Sequence, residues 1–124
     1  YEELNMAIEK IEIFQDGEYK TYERDFAKYP LNLSDWYNAM VLDGAQSNYT
    51  QKATSGSPLK EKDIKALADA DINFVVHYFR DQFTPEQAKE GIKPPVMTGD
   101  FNRWYTQSAG VMDNGSSDGE KAKK

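Results

Sequence analysis

The chain has 124 residues, 21 of them acidic and 15 basic, so its formal net charge is -6 at pH 7 and no basic stripe is present to neutralise the phosphates of a nucleic acid. The length predicts one domain with a modest core, to which an aromatic content of 13% must contribute much of the buried area. The absence of cysteine excludes disulfides and thiolate metal sites, and no apolar run approaches the roughly 20 residues of a membrane span.

Residues 7–22 have the pattern of a β-hairpin. Ile11 and Ile13 alternate with polar neighbours, and Asp16-Gly17 is a strong signal for a tight turn. An isolated hairpin is marginally stable in water, so this one must pack on other elements or pair with another chain. Its unpaired edge could therefore accept a partner.

A connector is expected from Arg24 to Leu33, with Phe26 as its anchor. Ser34 has the character of a helix N-cap, and the helix that it starts is predicted to end near Gly44. The following segment, Ala45 to Ser57, is rich in polar residues and glycine, which predicts a mobile surface loop.

A central helix of about 25 residues is predicted to start at Ser57-Pro58 and to end at Phe83. Its apolar positions recur at helical spacing. They are Ile64, Leu67, Ala68, Ile72, Val75, Val76, Phe79 and Phe83. Thr84-Pro85 then starts a short helix that stops at Gly91.

Phe101, Trp104 and Tyr105 fit one face of a last short helix or turn. From Asp113 onward the chain is polar, so residues 113–124 are predicted to be a disordered tail behind a single domain of residues 1–112. Met6 can serve as a natural start, in which case residues 1–5 would be left over from expression. The predicted fold class is α+β, with a small N-terminal β-hairpin packed on a bundle of three or four helices.

The sequence favours binding over catalysis. His77 and Asp81 are four residues apart on the predicted helix, which lets them touch, but a surface histidine with an acidic neighbour is the commoner situation. The acidic residues near Asp69 and Asp71 do not match a calcium loop and are interpreted as a solvated helix face. Nothing assembles a nucleophile, a base and an oxyanion site, so no catalytic residue, metal or cofactor is predicted.

Large aromatic side chains and one arginine are the candidates for partner binding, because these residue types are enriched where protein interfaces concentrate their energy. The candidates are Trp36, Tyr37, Tyr78, Phe83, Phe101, Arg103, Trp104 and Tyr105. For the aromatic residues of the last segment, the alternative is that they dock that segment on the helical core. The same alternative, packing on the core, applies to Trp36 and Tyr37 on the first helix.

Three segments together resemble the tail assembly chaperones of long-tailed, siphovirus-like bacteriophages. They are the strand pair IEKIEIFQDGEYKTY, the connector Arg24-Asp25-Phe26, and the helix-break-helix unit FVVHYFRDQFTPEQAKEGI that ends at Ile92. The resemblance covers roughly residues 7–92 of the sequence. The segment after Pro95 departs from any pattern that this family shares.

The resemblance implies a non-enzymatic protein of the host cell cytoplasm that is absent from the mature virion. It implies that the chain keeps the tape measure protein soluble and helps recruit major tail protein subunits. It also implies a longer form made by translational frameshift, and self-association through the hairpin edge fits this role. The alternative is a structural phage tail component or an adaptor domain for protein–protein contacts.

Overall fold

The computed structural model describes residues 8–94 and 99–110. A hairpin of β1 (Ile8–Gln15) and β2 (Glu18–Asp25) precedes four helices, α1 (Leu33–Thr54), α2 (Glu61–Tyr78), α3 (Pro85–Gly91) and α4 (Gly99–Ala109). This order confirms the predicted α+β class. None of the helices in these ranges is long and apolar enough to cross a membrane. The predictions for residues 1–5 and 113–124 lie outside the described residues.

The hairpin is antiparallel and closes at the predicted turn. Asp16 and Gly17 have φ angles of 53° and 84°, as a two-residue type I′ turn requires. Ile11 and Ile13 lie on the inward face and are buried. The second strand is longer than predicted, because Arg24 pairs with Glu9 in the strand register and belongs to β2 rather than to the connector.

The first helix starts earlier and ends later than predicted. Asn32, not Ser34, is its N-cap: the Asn32 side chain accepts a hydrogen bond from the Asp35 N–H at 3.1 Å, and the Asp35 carboxylate accepts one from the Asn32 N–H at 2.9 Å. The helix also continues through Gly44 to Thr54, so the prediction of a loop from residue 45 is wrong over ten residues. A glycine costs a helix about 1 kcal/mol, which packing of α1 along α2 offsets.

The central helix is shorter than predicted at both ends. It begins at Glu61, where the Asp63 carboxylate accepts a hydrogen bond from the Lys60 N–H at 3.0 Å. It ends at Tyr78, because Arg80 and Asp81 adopt left-handed φ angles of 66° and 58°. For residues other than glycine, this left-handed conformation costs about 1–2 kcal/mol per residue. Arg80 and Asp81 are therefore not residue types that predict the end of a helix.

The short third helix is as predicted. Thr84 is its N-cap, with Gln87 completing a capping box, and it ends at Gly91. Gly91 lies directly against β1, since a Cβ atom built on it would be 2.6 Å from the Phe14 carbonyl oxygen and 2.5 Å from Cγ2 of Ile13. This close approach seats α3 on the hairpin and covers part of the outer edge of β1.

We predict that Gly91→Ala lowers the free energy of unfolding by about 1–3 kcal/mol, because strand backbone must move to admit the methyl group. Gly44→Ala is the matched control. A Cβ atom on Gly44 meets no atom within 4 Å, so alanine should raise stability by up to about 1 kcal/mol through helix propensity. Urea denaturation followed by circular dichroism measures both, and equal effects of the two substitutions would contradict the described packing.

Candidate protein-docking site

The first three turns of α1 expose large apolar side chains. Leu33, Trp36, Tyr37 and Val41 are 77%, 45%, 62% and 48% exposed, and their spacing places them on one side of the helix. We call this set the α1 stripe. The opposite side of α1 is buried against the rest of the fold. Contiguous exposed apolar surface on a protein of this size is typical of a binding site for another protein.

The first turn of α1 is fixed by Arg24 at the end of β2. The guanidinium group donates to both Asp35 carboxylate oxygens, at 2.8 and 3.0 Å. Its remaining N–H groups donate to the backbone carbonyls of Tyr29 and Pro30 at 2.9 Å and of Tyr78 at 3.0 Å. All five donors of the arginine are therefore satisfied. Because these acceptors come from α1, the connector and the end of α2, one side chain sets where the α1 stripe begins.

This ion pair is buried, with side-chain exposures of 1% for Arg24 and 2% for Asp35. The guanidinium carbon lies 4.8 Å from the ring centre of Phe26 and 5.3 Å from that of Tyr78. Phe26 is thus the anchor that the sequence predicted. Two aromatic rings and a full set of hydrogen bonds replace the water that the cation loses on burial.

His77 contacts the first turn of α1 rather than Asp81. Its Nε2 atom lies 3.0 Å from the Ser34 hydroxyl and 4.0 Å from the Asp35 carboxylate. Asp81 lies beyond the end of α2, where the left-handed turn directs the chain away. The pairing allowed by the helical spacing is therefore not formed, and His77 packs beside the buried ion pair.

The structure divides the predicted binding residues between the surface and the core. Trp36 and Tyr37 lie in the α1 stripe. Four of the others are buried, namely Tyr78, Phe83, Phe101 and Trp104. Trp104 stacks on Tyr78 with ring centres 5.4 Å apart and meets Phe79 edge-on at 5.0 Å. Phe101 and Trp104 dock α4 on the helical core, as the alternative interpretation of this segment held, whereas Phe83 packs on Tyr22 of the hairpin.

Arg103 and Tyr105 lie nearer the surface of α4, and both have partners. Arg103 donates to the Glu9 carboxylate at 2.6 and 2.8 Å and to Asp100 at 3.0 Å. The Tyr105 hydroxyl donates to Asp43 of α1 at 3.1 Å. These bonds tie α4 to the hairpin on one side and to α1 on the other.

The Glu9 carboxylate is the inner member of this contact. It is buried, and it also accepts a hydrogen bond from the Trp104 indole N–H at 3.1 Å. Burial alone would raise the pKa of Glu9. The hydrogen bonds from Arg103 and Trp104, together with the positive charge of Arg103, outweigh burial and hold the pKa below its ordinary value of 4.5.

The outer face of the hairpin carries a second, smaller apolar surface. Phe14 and Tyr19 lie edge to face with ring centres 5.1 Å apart, and the Lys93 ammonium is 4.5 Å from the Tyr19 ring centre. The Gln82 side chain donates to the Glu23 carbonyl at 2.7 Å and so occupies one end of the β2 edge. The stretch of that edge from Tyr19 to Thr21 has no such side-chain cover among the described residues.

One functional candidate was missed because of its charge. Asp71 was assigned to a solvated acidic face, but it is half-buried, and burial raises its pKa to about 6. It stands three residues after Ala68 and four before Val75, which places it in the apolar stripe of α2. This spacing in the sequence could have indicated that Asp71 is partly buried. Within the described ranges, no group of three or more His, Cys, Asp or Glu residues could hold a metal ion.

Comparison with known families supports a role in protein binding. The model of the phage tail chaperone protein family matches residues 6–124, and the chain therefore belongs to this family. The match confirms the resemblance seen in the sequence and places the chain among bacteriophage proteins of tail assembly. No curated protein and no solved structure matches the chain.

We predict that acidification weakens the contact between α4 and the hairpin. Since folding lowers the pKa of Glu9, the ionised carboxylate stabilises the fold above about pH 4.5, and this contribution is lost as the pH falls through the lowered value. Glu9→Gln should cost about 1–2 kcal/mol at pH 7 and make stability less dependent on pH below 4.5.

Trp104 reports on this contact directly when Trp36 is replaced by phenylalanine, because the chain has two tryptophans. Its emission should shift to the red in acid as the indole loses Glu9 and meets water. Glu12→Gln changes an exposed residue on the same strand and is the control. It should not change the pH at which the Trp104 emission shifts. If the Trp104 emission shifts at the same pH in Glu9→Gln and in the parent, the acid sensitivity of this contact does not come from Glu9.

Proposed function

We propose that the chain is a non-enzymatic tail assembly chaperone of a siphovirus-like phage. In this proposal it binds the tape measure protein and helps recruit major tail protein subunits while the tail tube polymerises. It acts in the host cytoplasm and is absent from the finished virion, and a frameshifted longer form is part of the proposal. Membership of the phage tail chaperone family supports the assembly role, and the exposed α1 stripe is the observation that carries the binding role.

The α1 stripe has the shape and chemistry to bind a helix. A tape measure protein is expected to be long and largely helical, with apolar stripes of its own. Two helices bury such stripes against each other through residues at spacings of three and four, as Trp36 and Tyr37 are spaced from Leu33. Trp and Tyr supply large contact area with few rotatable bonds. The net charge of -6 keeps many bound copies apart in solution.

The remaining candidate residues are either partly exposed or buried, and the proposal gives these two groups different roles. Arg103 and Tyr105 are partly exposed on α4 and are assigned to a secondary contact surface. The four buried aromatics support the docking site by holding α4 and the hairpin against α2, without touching the partner. Self-association through the hairpin is assigned to the β2 edge from Tyr19 to Thr21.

We predict that Val41→Lys abolishes binding of the tape measure protein. The substitution places a charge at the C-terminal end of the α1 stripe, beside Tyr37, where a bound helix would desolvate it. Ile64→Lys is the matched control, because Ile64 is also a β-branched residue exposed on a helix, at 53% against 48% for Val41. Co-expression of the tape measure protein with each variant, followed by co-purification, measures the effect.

The parent and Ile64→Lys should keep the tape measure protein soluble and co-purify with it, whereas Val41→Lys should lose at least about 90% of the complex. Equal binding by both variants would remove the α1 stripe from the proposal. Mass spectrometry of purified virions addresses the alternative of a structural tail component, since the chain should be missing from mature particles if it is a chaperone.

A further inference from the structure

We infer that the cleft between α2 and α3, which Asp71 helps to line, binds a lysine or arginine side chain that is flanked by apolar residues on a client protein segment. This inference rests on the proposed function for the identity of the client. It adds a second contact point, separate from the α1 stripe, and specifies the chemistry of the residue that enters it.

The cleft is apolar and has the size for a long side chain. Its volume is about 290 Å³, and its walls are formed by Ala68, Ile72, Val75, Ala88, Ile92 and Pro94, with Lys89 and Asp71 as its charged residues. On the other side of Asp71 lies a cavity of about 270 Å³ between α1, α2 and α4, to which Leu42, Phe101 and Tyr105 contribute. The second cavity is also lined by Asp43, Gln46 and Asn102, so Asp71 stands between an apolar cleft and a cavity of mixed polarity.

Asp71 has no partner in the described part of the chain. No hydrogen bond or ion pair to its carboxylate is formed there, although Asp63 on the same helix pairs with Lys52 at 2.6 Å and Asp69 pairs with Lys65 at 2.7 Å. A half-buried carboxylate that has lost water and gained no donor is unfavourable when ionised, and the raised pKa reports this. A cation brought to it would restore the lost interaction.

The surroundings favour a basic side chain as that cation. The other titratable groups facing Asp71 are Asp43 on α1, Lys89 on α3 and Tyr105 on α4. The Tyr105 hydroxyl is already bonded to Asp43, and Lys89 forms no ion pair within residues 8–94 and 99–110. A lysine or arginine can lay its methylene groups along the apolar walls while its charged end reaches the carboxylate.

The test uses two synthetic helical peptides that differ at one position. One has a lysine flanked by leucines and the other has norleucine there, which keeps the methylene chain without the charge. Fluorescence anisotropy with the full chain at pH 7.5 should give about tenfold tighter binding of the lysine peptide. Asp71→Asn should remove this preference, and Asp69→Asn, a charge change two residues away, should retain it.

Two further readouts bear on the same carboxylate. Lowering the pH from 7.5 to 5 should reduce the preference for lysine, because Asp71 becomes protonated below about pH 6. Asp71→Asn should raise the melting temperature by about 4 °C at pH 7.5 and have no effect at pH 4, since the penalty of an ionised, desolvated carboxylate is absent once it is protonated.

Equal affinity of the parent chain for the two peptides overturns the inference, as does a preference that survives in Asp71→Asn. These results are independent of the tape measure protein. A lysine preference in a chain that does not co-purify with the tape measure protein would refute the proposed function alone.

Discussion

The buried ion pair between Arg24 and Asp35 is the contact on which the arrangement of the fold depends. Its guanidinium group joins the end of the hairpin, the connector, the start of α1 and the last turn of α2. Removing one member of such a pair leaves an uncompensated buried charge, which costs more than the pair contributes. Because Asp35 also completes the capping box with Asn32, the same carboxylate fixes both the position and the first turn of the helix that presents the α1 stripe.

Much of the fold could be predicted from local pattern. The Asp16-Gly17 turn and the Thr84 cap each depend on a few adjacent residues, and both are present in the structure. The errors have tertiary causes. Gly44 has the sequence character of a helix end, but packing along α2 carries α1 through it. The left-handed Arg80 and Asp81 shorten the central helix against their own preferences, and no local signal marks them.

The candidate site was harder to predict, because residue type alone does not separate a binding aromatic from a core aromatic. Trp36 and Trp104 are equally good candidates in the sequence, yet one is exposed and the other is completely buried. Asp71 was misinterpreted for a related reason. Its charge suggested a solvated surface residue, whereas its position in the apolar stripe of α2 indicated burial. Spacing relative to the buried positions carries the information in both cases, and that spacing is known only once the packing partners are known.

A double-mutant cycle on Arg24 and Asp35 tests the central claim most directly. Arg24→Met and Asp35→Asn would each be made alone and together, and the free energy of unfolding would be measured in urea. Each single change should cost about 3–5 kcal/mol, and the pair should cost less than the sum by at least about 2 kcal/mol, since the second change removes a charge that the first left unpaired. Additive costs, or single changes within about 0.5 kcal/mol of the parent, would contradict the account.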